Sequence, residues 1–259
     1  MKALNFLLLS TLLLLAYQNR ELFFNSNNEN NSDTAKVPKK EKPILPPPVL
    51  PEFTIRTQER TAWQKLSDWL SLPSSYPNAK RLMHVAICED TFVRVVRNAI
   101  KPHHSGMGNL GQLADLFDYI YQNKIIVKDP AGREYFASPL EYWTDHTGDC
   151  DDMAICMAVA ANAIGIHSRI VLANGDSVGH AYAEICVGKG DVSRFQNYIT
   201  ERYNLLHTNQ VRLYVDEIGF QWLNLDLNNP YPGGEYYDGE RMHHYYPDEK
   251  RWFDFPINK

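Results

Sequence analysis

The sequence predicts an α+β domain, because segments with helical spacing of apolar residues are followed by several short strand-like segments. Between residues 57 and 164, apolar side chains recur every three or four positions, which is typical of helices buried along one face. Beyond residue 165, the apolar runs are shorter and rich in β-branched residues, and turn-forming residues separate them. Helices are therefore expected in the first part of the domain and strands in the second.

The N-terminus has the pattern of an export signal. Met1 and Lys2 precede an uncharged apolar run at 3–17, which as a helix would span about 22 Å, less than the roughly 30 Å of a bilayer core. We interpret residues 1–17 as a signal peptide, with an N-terminal membrane anchor as the alternative. Residues 18–52 are rich in Asn and Pro and predict a disordered tether. We therefore expect an extracytoplasmic protein, periplasmic or secreted, or attached to a membrane through this apolar segment.

The rest of the chain, residues 53–259, is expected to form one domain. The chain of 259 residues is 44% apolar and 22% charged, an ordinary globular composition. We divide the domain into N-terminal helices (53–122), a catalytic core (123–230) and an aromatic-rich C-terminal segment (231–259), whose loops suit either a lid or buried chain ends. The net charge of -5 and the lack of a dense Lys and Arg face exclude a nucleic-acid partner.

Cys150 begins a regular predicted helix. From Cys150 to Ile164, small and apolar residues share one face, and Gly165 supplies the residue that ends the helix. The cysteine therefore lies in the first turn, where unpaired backbone N–H groups and the positive helix end favour a thiolate. A thiolate attacks carbonyl carbon, which makes Cys150 a candidate nucleophile. A structural thiol or a disulfide is the alternative for a cysteine in an exported chain.

His180 begins the clearest strand pattern. Residues 168–173 predict one strand, a turn follows, and from 180 to 187 the side chains alternate between two faces. A third short strand starts at Trp222 and closes with Asp226. If these strands lie beside the helix start, His180 can take the thiol proton and later protonate a leaving amine. Asp226 would then hold the orientation of the imidazole.

Several motifs, in this order, resemble the transglutaminase-like superfamily over roughly residues 110 to 230. The matching stretches are IIVKDP (125–130), SPLE (138–141), GDCDDMA (148–154), IGIHSR (164–169), HAYAE (180–184) and WLNLD (222–226). The resemblance implies a papain-like core in which the cysteine-bearing helix packs on an antiparallel β-sheet, with additional N-terminal helices. The chain departs from the family pattern at His167 and Ser168 and in a long insertion at 188–216, which we expect to wall the cleft.

The resemblance also implies a function. Cys150 would be the nucleophile, His180 the base and acid, and Asp226 the orienting carboxylate. The chain would be an exported cysteine enzyme that acts on amide or peptide bonds of a protein or peptide substrate through a thioester intermediate. Hydrolysis is favoured over cross-linking, because water needs no second binding groove. The alternative is a catalytically inactive binding or assembly protein that keeps the fold.

The carboxylates beside Cys150 oppose its activation. Asp149, Asp151 and Asp152 suit a helix N-terminus, yet their negative charge disfavours a thiolate at Cys150. In one interpretation they point to solvent or accept backbone N–H groups, and no cofactor is required. In the other, Ca²⁺ binds Asp149 and Asp151, as the resemblance to some bacterial transglutaminase-like peptidases suggests.

Other residues are weaker candidates for the site. Tyr182, on the strand face of His180, and Trp222 are candidate substrate-binding residues. The histidine pairs at 103–104 and 243–244 lack the spacing of two metal ligands on one helix face, and we expect them in surface loops. The three cysteines other than the candidate nucleophile are expected to be small buried residues, or to include one disulfide.

Overall fold

The computed structural model describes four stretches of the chain, residues 46–50, 76–130, 132–175 and 179–254. The predicted signal peptide or anchor (1–17) lies outside them, as do most of the tether and part of the N-terminal helices. Of the helices in the described stretches, none combines the length and the apolar character that crossing a bilayer requires.

Six α-helices and eight strands occur in these stretches. The helices are α1 (Ala79–Val85), α2 (Asp90–Asn98), α3 (Leu110–Asn123), α4 (Pro139–Asp145), α5 (Cys150–Ala163) and α6 (Ser193–Arg202). Short 3₁₀ turns at Pro102–His104 and Thr208–Gln210 follow α2 and α6. The strands are β1 (Ile125–Ile126), β2 (Thr147–Gly148), β3 (Ser168–Asn174), β4 (Gly179–Gly188), β5 (Leu213–Val215), β6 (Gln221–Asn224), β7 (Glu240–Tyr246) and β8 (Arg251–Asp254).

Six of the strands form one antiparallel sheet in the order β5-β6-β4-β3-β7-β8. The central pair is β3 and β4, with Val171 opposite Tyr182. A separate parallel pair, β1 with β2, ends two residues before Cys150. This arrangement confirms the α+β class and the antiparallel sheet beside the cysteine helix.

Helix α5 is the centre of the hydrophobic core. Its residues 155–161 are 0% exposed, because β3 and β4 cover one side while α2, α3 and α4 cover the other. The spacing of its apolar residues predicts burial along one face only. A helix enclosed on all sides carries apolar and small residues around its whole circumference, as this one does. Enclosure on all sides fixes the position of Cys150 at its first turn.

The C-terminal segment differs from expectation. Residues 240–254 form neither a lid nor loops but the strands β7 and β8, and β7 pairs with β3 in the main sheet. The stretch ERMHHYY contains no β-branched residue, so its strand signal is weak in the sequence. Pairing with β3 decides its conformation.

The insertion at 188–216 packs against α3. Its helix α6 carries Arg202, whose Nη2 donates to Asp115 Oδ1 at 2.8 Å and to Asp118 Oδ2 at 2.7 Å. The hydroxyl of Tyr203 also donates to Asp118, at 2.7 Å. These bonds tie the insertion to the helical layer. The crevice beside Cys150 is lined by other segments of the described chain.

Candidate active site

Cys150 occupies the first position of α5 and is partly exposed. The crevice beside its sulfur is lined by α5, by the start of β4 and by the turn after β6, through Cys150, Met153, Ala154, Ala181, Asp226 and Leu227. All four cysteines are free thiols, and Cys88 is exposed rather than buried. The alternative of a disulfide at Cys150 therefore has no support in the structure.

His180 lies between Cys150 and Asp226. Its Nε2 is 2.8 Å from Asp226 Oδ2, and its side chain also interacts with the Cys150 thiol. The ring is packed against Tyr237, with the ring centroids 4.8 Å apart. The three predicted catalytic residues are therefore brought together by α5, β4 and the turn after β6.

The surroundings of His180 favour its charged form. Burial by itself would lower the pKa of the imidazole. Hydrogen bonds to Asp226 and Cys150, together with their negative charge, outweigh burial and raise the pKa of His180 to about 9. A protonated ring donates through both nitrogens, to the carboxylate on one side and to the sulfur on the other.

Asp226 lies two residues beyond the end of β6, not within the strand. Its backbone N–H donates to Asn224 Oδ1 at 2.9 Å, and its Oδ1 accepts from the backbone N–H of Asn228 at 2.9 Å. Its other oxygen, Oδ2, is 2.8 Å from His180 Nε2. Both carboxylate oxygens are therefore engaged, and the turn holds the carboxylate in one orientation.

Asp152 secures the start of α5. It is 3% exposed, and its carboxylate accepts from the backbone N–H of Ala137 at 2.6 Å and of Asp149 at 3.2 Å. Burial raises its pKa to about 6, although the two backbone bonds act in the opposite direction. Of the two outcomes expected for this residue, solvent exposure is wrong and binding to backbone N–H groups is correct.

Asp149 and Asp151 face one another beside Cys150. Asp151 is 7% exposed, and one oxygen of each carboxylate is buried without a hydrogen-bond donor. Together with Asp152, they place one oxygen each within 4.8 Å of one another. Glu134 also reaches Asp151, and burial together with these neighbours raises the pKa of Asp151 strongly. Buried carboxylates without donors between them are suited to a hard divalent cation such as Ca²⁺.

Glu134 was missed by sequence reasoning. It precedes the cysteine by sixteen positions (150 − 134 = 16), in a segment that packs against the start of α5. A single glutamate in a polar stretch gives no signal of this role. Only the folded chain brings it to Asp151.

Tyr182 and Trp222, the predicted substrate-binding residues, are 2% and 3% exposed. The ring of Trp222 lies under the guanidinium of Arg169 at 3.7 Å, and its Nε1 donates to Asp216 at 3.0 Å. Trp222 is thus held away from the crevice, whereas Tyr182 contributes to its inner wall. The structure places Trp222 in the interior because the sheet face opposite α5 is covered by an aromatic and arginine layer.

Three of the four paired histidines are buried, contrary to the expectation of surface loops, whereas His103 is exposed. His104 is buried and its Nδ1 is 2.6 Å from Asp115 Oδ2. His243 and His244 are buried on β7, and His243 Nδ1 is 2.7 Å from Asp254 Oδ1. These contacts place His104 and His243 in the packed interior.

Residues 102–203 match the model of the transglutaminase-like superfamily. The match confirms the resemblance over that stretch, which contains Cys150 and His180 and ends before Asp226. A search of curated proteins returns no match.

Solved structures that match part of this chain include LapG of Legionella pneumophila in an EGTA-treated form, at 17% identity and a TM-score of 0.36, over 64% of this chain and 80% of that one. The calcium-bound form of the same protein matches at 16% identity and a TM-score of 0.33, over 64% and 83%. A proposed cysteine protease from Cytophaga hutchinsonii matches at 16% identity and a TM-score of 0.32, over 45% of this chain. The alignment spans only 40% of that protein's length.

Proposed function

We propose that this chain, whose residues 102–203 match the transglutaminase-like superfamily, is a cysteine hydrolase of amide bonds in protein or peptide substrates. The observation that supports the proposal best is the position of His180. Its Nε2 is 2.8 Å from Asp226 Oδ2, and its side chain interacts with the thiol of Cys150, which lines a crevice. A nucleophile, a proton carrier and an orienting carboxylate are the parts that acyl transfer requires.

The reaction begins with attack of the Cys150 thiolate on the carbonyl carbon of the substrate. Unpaired backbone N–H groups in the first turn of α5 stabilise the negative charge on the carbonyl oxygen. As the C–N bond breaks, His180 gives its proton to the leaving amine, and a thioester on Cys150 remains. Neutral His180 then takes a proton from water, whose oxygen attacks the thioester carbon. The C–S bond breaks, and the acid product, the thiolate and protonated His180 are formed.

Hydrolysis is proposed over cross-linking because water needs no second binding groove. The crevice beside Cys150 is lined by residues of α5 and β4 and by the turn that contains Asp226. An acceptor lysine would need a second groove leading to the thioester. Release of peptide fragments without incorporation of an amine is therefore the expected outcome.

The test uses fluorescein-labelled casein as the substrate and dansylcadaverine as the amine acceptor. We expect cleavage by the wild-type protein, no dansyl incorporation, and loss of cleavage in Cys150→Ala. Cys88→Ala removes an exposed thiol elsewhere and should retain full activity. Iodoacetamide at neutral pH should label Cys150 first. Full activity of Cys150→Ala would exclude the proposal, and a wild-type Cys150 that is inert to iodoacetamide would favour the binding or assembly protein.

We also propose that Asp149 and Asp151 hold Ca²⁺, with Glu134 within reach of the same cation. Support comes from the buried oxygens that lack donors and from the mutual repulsion of these carboxylates. A bound cation would neutralise the negative charge that opposes a thiolate at Cys150. Calorimetric titration of Ca²⁺ into chelator-treated protein should show saturable binding that is lost in Asp151→Asn and kept in Asp145→Asn, at an exposed aspartate. Equal binding by both variants would contradict the assignment.

Export is a further proposal, supported by the apolar run at residues 3–17. The chain would act in the periplasm or outside the cell, released after cleavage or held by an uncleaved anchor. A fusion of residues 1–52 to alkaline phosphatase tests this, because that enzyme is active only after export. Phosphatase activity is expected in the periplasm, the medium or the membrane fraction. Inactive cytoplasmic fusion protein would contradict export.

A further inference from the structure

Lys124 connects the helical layer to the turn that carries Asp226. It caps the end of α3, where its backbone N–H donates to Ile120 at 2.9 Å. Its side-chain Nζ donates to the backbone carbonyl of Leu227, a residue 103 positions away in the chain. The same Nζ lies 3.9 Å from the centre of the Tyr121 ring. The ammonium group is thus held between a carbonyl oxygen and an aromatic face.

The turn needs such support because it lies beyond the sheet. Strand β6 ends at Asn224, and the next backbone bond to β4 runs from Leu225 to Ala183, at 2.9 Å. From Asp226 to Asn229 the backbone is held by bonds within the turn itself. The side chains of Leu225 and Leu227 pack in the core, and Lys124 adds a direct bond from α3 to the backbone of this turn.

The charge of Lys124 acts on the same turn. Its ammonium group attracts the carboxylate of Asp226, although partial burial makes the charged form costly and lowers the pKa of Lys124. A neutral side chain of the same length could fill the space but could supply neither the charge nor the bond to Leu227. The residue type is therefore matched to this position.

We propose that Lys124 is a positioning residue for the catalytic carboxylate. Its ammonium group fixes the carbonyl of Leu227 and so holds Asp226 Oδ2 in line with Nε2 of His180. This inference rests on the proposed function, in which Asp226 orients His180 so that the ring can protonate the leaving amine and then take a proton from water beside Cys150. Lys124 itself does not touch the reacting atoms.

The consequence of losing Lys124 concerns the rate of the chemical step more than substrate binding. A displaced Asp226 leaves His180 free to turn away from the sulfur, and misplacement by about 1 Å can cost about 100-fold in rate. Because Lys124 bonds the turn and not the substrate, KM should change little. We therefore expect a lower kcat with an almost unchanged KM.

The experiment compares Lys124→Met, Lys124→Arg and Lys189→Met with the wild type. Lys189 is the matched control, since its Nζ also lies over an aromatic ring, that of Phe220 at 4.3 Å, but this exposed residue directly follows β4. On labelled casein, Lys124→Met should lose about 10- to 100-fold in kcat with KM within twofold. Lys124→Arg, which keeps a charged donor, should recover most of the loss, and Lys189→Met should match the wild type.

A second readout does not depend on activity. In protein with ¹⁵N-labelled histidine, the ring N–H signal of His180 in its bond to Asp226 is identified by its loss in Asp226→Asn. In Lys124→Met this signal should shift or broaden, and in Lys189→Met it should be unchanged. If the wild type cleaves no substrate, the proposed function fails, and the signal still decides the role of Lys124.

An unchanged His180 signal together with kcat within twofold of the wild type in Lys124→Met would overturn the proposal. So would equal losses in Lys124→Met and Lys189→Met, because the effect would then not be specific to the turn. If Lys124→Met does not fold, Lys124→Gln replaces it, since its side chain is uncharged and shorter than that of lysine, and the same two readouts apply.

Discussion

His180 is the residue on which both halves of the proposed reaction depend. It must hold a proton for the leaving amine and afterwards accept one from water. Its neighbours decide whether the ring is charged or neutral. Asp226 and Cys150 stabilise the charged ring, whereas burial disfavours it. With a pKa of about 9, the ring is protonated at neutral pH and ready for the first step.

The pKa of His180 predicts the alkaline limit of activity. The ring is charged below about pH 9 and loses its proton as the pH rises through that value, so kcat/KM should fall with an apparent pKa near 9. Asp226→Asn removes the charge that raises this pKa, and the alkaline limb should therefore move to lower pH. Measurement of kcat/KM between pH 6 and 10 tests both points. A limb that stays in place in Asp226→Asn would contradict this explanation.

Gly148, in the GDCDDMA motif, lies where there is no room for a larger side chain. A Cβ on Gly148 would lie 2.7 Å from the Cβ of Asp152, whose carboxylate bonds the start of α5. Glycine therefore lets β2 and the first turn of α5 approach each other closely beside Cys150.

Gly148→Ala should lower the free energy of unfolding by about 1–3 kcal/mol, because Asp152 must move out of its backbone bonds. The control is Gly179→Ala, where the added Cβ would make an ordinary contact with Ala173 O at 3.7 Å. Urea unfolding of the two variants provides the measurement. Equal stability of both would show that the contact at Asp152 is tolerated.

At the scale of elements, the sheet face opposite α5 is held by a buried charge network. Glu184 on β4 is 0% exposed and binds Arg169 on β3 and Arg241 on β7, with Arg169 Nε at 2.7 Å. The two guanidinium groups hold the pKa of Glu184 below its usual value despite burial, which acts in the opposite direction. The network joins the three central strands of the sheet.

Glu184→Gln should destabilise the protein by about 3–5 kcal/mol, because it leaves two buried cations without a compensating charge. Glu235→Gln is the matched control: its partner is Arg212 at 2.7 Å, and both side chains are more than half exposed. The control should cost less than about 1 kcal/mol. Chemical denaturation of both variants measures the difference. A loss below about 1 kcal/mol in Glu184→Gln would mean that the network can rearrange.

At the scale of the whole molecule, the acidic cluster is expected to make stability depend on pH. The pKa of Asp152 is raised to about 6, so the folded state binds a proton more tightly than the unfolded state. The stabilising effect of that proton is fully present below the unfolded value near 4 and is lost as the pH rises through 6. The pKa of Asp151 is also raised.

In the presence of chelator, the contribution of this cluster to the thermal midpoint should therefore fall between pH 4.5 and 6.5. Ca²⁺ should reduce the fall, since a bound cation favours the ionised carboxylates. Asp151→Asn should also reduce it, by removing one of the repelling charges. Scanning calorimetry of the wild type and the variant, with and without Ca²⁺, measures these changes. Identical profiles for wild type and variant would exclude the cluster as their source.

The sequence predicts correctly those elements that are specified by interactions between residues close together in the chain, and it fails where residues distant in the chain decide the structure. The helix from Cys150 and the strands from Ser168 and Gly179 are specified by local spacing and turn residues, and they form nearly as predicted. β7 was not predicted, because its strand conformation comes from pairing with β3 and not from local preference. The burial of Asp151 and the contact of Lys124 with Leu227 were also not predicted, because both depend on segments distant in sequence.

By itself, the sequence determined the α+β class, the cysteine at a helix start and the histidine at a strand start, since side-chain periodicity and capping act within a few residues. Only the tertiary structure decided that Cys150, His180 and Asp226 meet, that Trp222 is buried, and that Glu134 joins Asp151. The physical reason is that a contact across the fold is set by how the helical layer packs on the sheet, and no local pattern in the chain records that packing.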